Sequence, residues 1–301
     1  MYTGFSRSVM GASHEAKGTV CQDSSAYKVG NGFAVCVVAD GHGSKKHFRS
    51  NIGSKSAVEA TIETIERFYA DPAAFEAEFP EHHKRIIRNI EKQIITTWNQ
   101  KVNKHHEENP VTPEERSKFT DEEFEKIPVE SYYGTTLIAA IAGNGYIFGI
   151  QIGDGSLVAV LDSGETMLPM EYEESNPANI TSSMCNTNAA KMFESFYIEN
   201  KKLLALFAST DGLYTSFGSE YDFLDYHTIL TSQLVNLKEF EPAIERNLVK
   251  RSHFGTEDDI SLSCVCDSEL IAAQLETLQQ KIADNKEHAQ ARKARRIRRN
   301  T

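Results

Sequence analysis

The sequence predicts an α+β fold in which one β-sheet packs on another, with helices on the outside. Three observations point there. Short apolar segments recur at turn spacing, two long stretches carry helical periodicity, and the two kinds of element follow no regular strand–helix–strand order, which argues against a parallel doubly wound sheet. With 301 residues, of which 40% are hydrophobic and 25% charged, the chain has the composition of a soluble globular protein and can bury a sizeable core.

The segment Phe33 to Ala39 (FAVCVVA) is rich in valine and ends at Asp-Gly-His-Gly, so it reads as a buried strand entering a loop. From about Asn51 to Tyr69, Val58, Ile62, Ile65 and Tyr69 fall on one helical stripe. Ile87, Ile90, Ile94 and Trp98 indicate a second helix, expected to begin after a break at Pro80. Asn103 to Glu130 is a charged excursion interrupted by Pro110, Pro113 and Pro128; Thr112 and Pro113 have the pattern of a helix cap and first turn. Strand-like segments return at Thr135–Ala142, Tyr146–Ile152 and Leu157–Leu161, joined by Gly-Asn-Gly and Gly-Asp-Gly turns. Asp162 to Lys202 is polar and aperiodic, which predicts a surface flap. Leu203–Ser209 and Ile260–Cys266 read as further buried strands, with helices over Tyr221–Leu234 and Pro242–Arg251. After Asp267, Ile271, Leu275, Leu278 and Ile282 mark one more helix, too short in heptads for a long coiled coil. This divides the chain into a body of residues 1–267 and a helical, basic extension of residues 268–301.

The formal net charge is −11, which excludes non-specific nucleic-acid binding by the body. Six of the 32 basic residues lie between Arg292 and Arg299, so the rest of the chain sets 26 against 43 acidic residues. A terminal basic run reads first as a solvated tail; as a docking element it would seek an acidic partner, an anionic lipid or a nucleic acid. The five cysteines form no C-x-x-C pair, which predicts reduced thiols. No apolar run reaches membrane-spanning length, and MYTGFSRSVMGASHEAKG lacks the apolar core of a signal peptide. Together these features predict a cytoplasmic protein without a transmembrane segment.

Four aspartates stand where an apolar strand meets a loop: Asp40, Asp154, Asp211 and Asp258; Asp23 precedes a fifth strand-like segment. Strand ends on one edge of a sandwich converge across long sequence distances. Carboxylates gathered there repel one another and titrate upward unless cations neutralise them. Oxygen ligands without an adjacent cysteine or histidine pair suit Mg²⁺ or Mn²⁺ better than Zn²⁺. Gly41 and Gly212 follow two of these aspartates, where a side chain would crowd a metal or strain the turn.

Five stretches occur together in order: VVADGHG (Val37–Gly43), YGTTLIAAI (Tyr133–Ile141), IGDGSLVAV (Ile152–Val160), FASTDGLY (Phe207–Tyr214) and TEDDISL (Thr256–Leu262). In these the chain resembles the metal-dependent protein phosphatases, the PPM or type 2C serine/threonine phosphatases. Its opening, His14-x-x-x-Gly-x-x-Cys-Gln-Asp23, is similar to a bacterial branch. The resemblance implies a central antiparallel β-sandwich flanked by pairs of helices, a four-layer α-β-β-α arrangement. It also implies two Mn²⁺ or Mg²⁺ ions, with a third bound more loosely. Asp40 would bridge the two ions with help from the Gly41 carbonyl, Asp211 and Asp258 would hold the second, and Asp154 would hold the third. Asp23 would orient the attacking water, and His42 would protonate the leaving serine oxygen. The substrate would be a protein phosphorylated by a serine/threonine kinase.

Two positions depart from the family pattern. Where relatives often carry a phosphate-gripping arginine, this chain has Gly18, with Lys17 beside it as the expected substrate contact. After Asp211-Gly212, Leu213-Tyr214-Thr215-Ser216 supplies no acid for a third metal. The competing reading is a pseudophosphatase that binds phosphoproteins without turnover; the presence of Asp40, Asp211 and Asp258 argues against it.

Overall fold

The structure is a computed structural model that describes residues 1–170, 182–199 and 201–299, with side chains in the last helix up to Arg292. The strands are β1 (Tyr2–Val9), β2 (Ser24–Val29), β3 (Ala34–Ala39), β4 (Leu137–Ala142), β5 (Tyr146–Ile152), β6 (Ser156–Leu161), β7 (Thr166–Met167), β8 (Glu194–Glu199), β9 (Leu203–Ser209) and β10 (Ile260–Asp267). The helices are α1 (Ala12–Lys17), α2 (Ser50–Phe68), α3 (Pro72–Glu108), α4 (Pro113–Ser117), α5 (Asp121–Glu125), α6 (Asp211–Tyr214), α7 (Glu220–Gln233), α8 (Leu237–Arg251), α9 (Ser268–Ala273) and α10 (Leu275–Arg299). One five-stranded sheet runs β1-β10-β9-β6-β7 and the other β2-β3-β4-β5-β8. Every strand pairing is antiparallel.

Period-two geometry explains why β3 is apolar throughout. Val35, Val37 and Ala39 face Ile65, Ile90, Ile94 and Trp98 of α2 and α3, while Ala34, Cys36 and Val38 face Leu206, Ala208 and Val265 of the opposite sheet. On the far side, Phe5, Phe207, Leu262 and Cys264 pack against Phe223, Leu230 and Ile244 of α7 and α8. Three apolar layers therefore glue four layers of structure, the α-β-β-α order expected. Ile271 of α9 and Leu278 of α10 are buried in the same outer layer, and Arg292 lies 3.7 Å from Asp225 and over the Tyr221 ring.

Several boundaries differ from the sequence reading. The expected break at Pro80 falls at His82, where non-helical backbone kinks α3 and separates a first segment, starting at Pro72 and capped by Asp71, from the one that carries Ile87, Ile90, Ile94 and Trp98. The proline ring disrupts the turn behind it, but buried Phe75 and Phe79 hold the first segment against the sheet. α8 likewise begins before Pro242, at Leu237. Strand β1 went unseen because YTGFSRSV offers only Phe5 and Val9 as fully buried anchors. The expected flap contains β8, which pairs with β5 as an edge strand; its solvent side carries the polar residues that hid it. Residues 171–181 of that flap lie outside the described residues. The excursion holds α4 and α5, each opened by a capping box at Thr112 or Thr120, and buried Arg49 ties it down through Glu115 and the Asn109 carbonyl.

Candidate active site

Register brings the strand ends together. Ser24 pairs with Ala39, which sets Asp23 beside Asp40. Ser209 pairs with both Ser156 and Leu262, which draws Asp211 toward the β5–β6 turn holding Asp154 and toward Asp258. Carboxylate oxygens of Asp40, Asp154 and Asp211 lie within 4.8 Å of one another. Asp258 is exposed beside them, near enough for its charge to bear on both Asp40 and Asp211.

The backbone around Asp40 is fixed from several directions. Its N–H donates to Thr136 Oγ1 at 2.9 Å, while its carbonyl accepts from Thr135 Oγ1 and the Thr136 N–H, both at 2.8 Å. This is what the Gly-Thr-Thr of the second motif does. Gly41 forms an isolated bridge to Thr135, and a Cβ there would stand 2.6 Å from the Gln22 carbonyl oxygen. A Cβ on Gly212 would meet the Asp259 carbonyl oxygen at 2.3 Å. Both glycines are therefore required by close backbone approach.

Electrostatics show how strongly the acids of the cluster oppose one another. Burial, reinforced by Asp23, Asp211, Asp258 and Asp154, raises the Asp40 carboxyl well above its ordinary range. Burial, with Asp154 and Asp258, moves Asp211 up to about 6. Four acids this close resist ionising together, and a divalent cation among them removes the conflict. Asp23 is buried as well; its Oδ2 accepts from Thr210 Oγ1 at 2.8 Å, and burial followed by the Asp259 charge raises its pKa strongly.

A cavity of about 580 Å³ opens over the cluster, and Asp40, Gly41, His42 and Asp258 line it together with His14, Lys46 and His47. Ser183, Cys185 and Asn186 form another part of the wall, anchored by Ser183 Oγ and the Met184 N–H on the Thr135 carbonyl. His42 is held by its N–H on the Gly134 carbonyl at 3.0 Å, with its ring centroid 5.0 Å from that of His47. Burial, then His47 and Lys46, lowers the His42 pKa to about 4. Lys17 sits exposed at the end of α1 and is not part of the wall.

Sequence reasoning missed Asp259. It is 4% exposed at the cavity wall, whereas its neighbour Asp258 on the same wall is exposed. Its Oδ1 accepts from the Gly11 N–H at 2.6 Å and pairs with His14 Nδ1 at 2.9 Å, and its Oδ2 accepts from the Gln22 N–H at 2.6 Å. It thereby clamps the N-terminal loop beside the site. The available signal was the doubled acid of Glu-Asp-Asp, since consecutive residues entering a strand point to opposite sides.

The sequence model of the family described as Protein phosphatase 2C matches residues 10–249. The chain belongs to this family. Its structure resembles the serine/threonine phosphatase of Staphylococcus aureus, with a TM-score of 0.54 and 14% identity over 89% of this chain and 95% of that one. The serine/threonine phosphatase of S. agalactiae gives 0.53 and 18% over 88% of this chain and 99% of that one. At such identities the likeness speaks for the fold. No curated protein matches the sequence significantly. The phosphatase 2C fold is thus present with carboxylates at its sheet edge, and no helix among the described residues is long and apolar enough to cross a membrane.

Proposed function

We propose that this phosphatase 2C chain is an active, metal-dependent protein serine/threonine phosphatase. The observation that carries the reading is the convergence of Asp40, Asp154 and Asp211 within 4.8 Å, next to a cavity walled by His42. Asp40, the Gly41 carbonyl, Asp211 and Asp258 would hold two Mg²⁺ or Mn²⁺ ions, and Asp154 a third. Such ions supply a lowered pKa for water and positive charge against the transferring phosphoryl group.

The chain's own residues do the rest. Asp40 is immobilised by Thr135 and Thr136, so its carboxylate keeps one aim. Asp23, buried and hydrogen-bonded to Thr210, would orient the attacking water and accept its proton. His42, on the cavity wall, would deliver a proton to the serine or threonine oxygen as it leaves. Ser183, Cys185 and Asn186 of the flap, which line the cavity, would limit how a phosphopeptide enters. The substrate would be the product of a serine/threonine kinase, and the site would work in a reducing, cytoplasmic setting.

The test is hydrolysis of a phosphothreonine peptide by the purified chain. Activity with Mg²⁺ or Mn²⁺ that disappears with a chelator and returns with added metal supports the reading. Phosphopeptide binding without turnover in either metal would instead identify a pseudophosphatase.

A further inference from the structure

A phosphate dianion approaching this cavity meets Asp40, Asp258 and the charge of their neighbours, so positive charge on the wall decides how well it is held. Four basic side chains line the cavity: His14, His42, Lys46 and His47. Two of the three histidines are committed elsewhere and the third has another task. His14 Nδ1 is on Asp259 and His47 Nδ1 is on the Ser131 carbonyl, while His42 is assigned to the leaving group above. Lys46 is therefore the permanent cation of this wall.

Its neighbours in the same loop are already used. Lys45 turns away from the cavity, 3.4 Å from Glu123 and 4.6 Å above the Phe119 ring. Arg49 is buried, donating to Glu115 from Nε and Nη2, to the Asn109 carbonyl from Nη1 and to the Pro110 carbonyl from Nη2. Lys46 is exposed and has no ion pair among the described residues. Its backbone is fixed all the same: the His47 N–H closes a turn on the Ser44 carbonyl at 2.9 Å, and the Arg49 N–H binds the Tyr132 carbonyl at 2.8 Å. Lys46 shares the cavity wall with His42 and His47, the wall assigned to the leaving-group side of the site.

We infer that Lys46 binds the phosphoryl group of the substrate, an inference that rests on the phosphatase reading above. A lysine ammonium is a point charge on a flexible stem, so it supplies attraction without the bidentate geometry of arginine. Lys46 contacts the phosphoryl oxygens in the bound substrate and in the product alike. Its loss should therefore weaken binding more than it slows chemistry.

The experiment compares wild type with Lys46→Ala, Lys46→Arg and, as a control on the same loop, Lys45→Ala. One arm measures kcat and KM for a phosphothreonine peptide. The other titrates inorganic phosphate calorimetrically into Mg²⁺-loaded protein at low salt, a readout that needs no turnover. The expected result is a rise of about tenfold in KM and in the phosphate Kd for Lys46→Ala, the loss of one charged hydrogen bond. Lys46→Arg should restore binding, Lys45→Ala should resemble wild type, and the difference should shrink as salt rises. Equal phosphate affinity in Lys46→Ala and wild type overturns the inference, and does so independently of the enzyme reading, which stands or falls with wild-type turnover. A lower kcat with unchanged phosphate affinity also overturns it, because Lys46 would then act through His42 and not on phosphate.

Discussion

Replacing Asp259 by asparagine tests whether the N-terminal loop is clamped to the active site by one buried carboxylate. In the wild type two backbone N–H groups, from Gly11 and Gln22, donate to opposite oxygens of Asp259 at 2.6 Å, and His14 shares Oδ1. Asparagine keeps one acceptor oxygen and turns an NH₂ toward the other donor, leaving a buried N–H facing a donor. That mismatch costs about 1–3 kcal/mol, and converting the remaining charged bonds to neutral ones costs about 1 kcal/mol more. Relief of repulsion works the other way, because the Asp259 charge raises the Asp23 and Cys21 pKa values. Bound cations screen much of that repulsion, so unfolding in urea with saturating Mg²⁺ isolates the clamp. The expected outcome is a loss of about 2–4 kcal/mol in unfolding free energy, seen as a lower midpoint with an unchanged slope. In metal-free protein, where its proposed ligand role does not count, Asp258→Asn, one residue away but exposed, should lose under ~0.5 kcal/mol of folding stability. Equal stability of wild type and Asp259→Asn in Mg²⁺ would refute the clamp.

Other perturbations separate the roles further. His42→Ala should slow a phosphoserine peptide strongly and p-nitrophenyl phosphate much less, since p-nitrophenolate leaves without a proton; equal losses would make His42 an orienting residue. His227 is fully buried among Phe207, Phe223 and Tyr226 and has its pKa lowered from 6.5 to about 4, chiefly by burial. The unfolded chain therefore binds a proton that the folded chain refuses, and stability is lost as pH falls from about 6.5 toward 4, by up to about 3 kcal/mol. His227→Leu should flatten that part of the urea-unfolding pH profile, and an unchanged difference from wild type across the window would remove His227 as the cause. The raised Asp211 titrates in the opposite sense: its protonation stabilises the metal-free fold as pH falls through about 6, and the raised Asp40 acts in the same direction. Mg²⁺ at 100 times its Kd should then add about 2.7 kcal/mol near pH 7.5, and a melting temperature that ignores Mg²⁺ there would argue against a cation site.

What was legible in the sequence was whatever local pattern encodes. Asp40, Asp154 and Asp211 each end or join an apolar strand at an Asp-Gly, so their convergence followed once the strands were recognised as one sandwich. Continuous burial of β3 and β9 gave the double-sided sheets away. What stayed hidden depends on tertiary contact. Asp23 and Thr210 meet across 187 residues, and only the fold shows that Asp23 is buried by this contact. Asp258 and Asp259 are chemically identical, and which one turns inward is set by the loop at Glu257, whose backbone takes a left-handed φ of 61°. Lys45 and Lys46 read alike as solvated charge; the turn at Ser44–His47 sends one to Glu123 and the other to the cavity. Strands β1 and β8 were missed for a related reason, because edge strands expose one side and their polar residues mask the alternation.

The most direct test of the central claim is phosphate release from a phosphothreonine peptide with saturating Mn²⁺, comparing wild type with Asp40→Asn and Asp211→Asn. Asparagine preserves shape while removing the charge that holds cations, and each variant should retain its fold, verified by circular dichroism. The account predicts a wild-type rate that falls at least ~10²-fold in both variants, the scale of losing a principal electrostatic stabiliser. Folded variants that release phosphate at near wild-type rates would contradict it, because the aspartates at the sheet edge would then not be the machinery of hydrolysis.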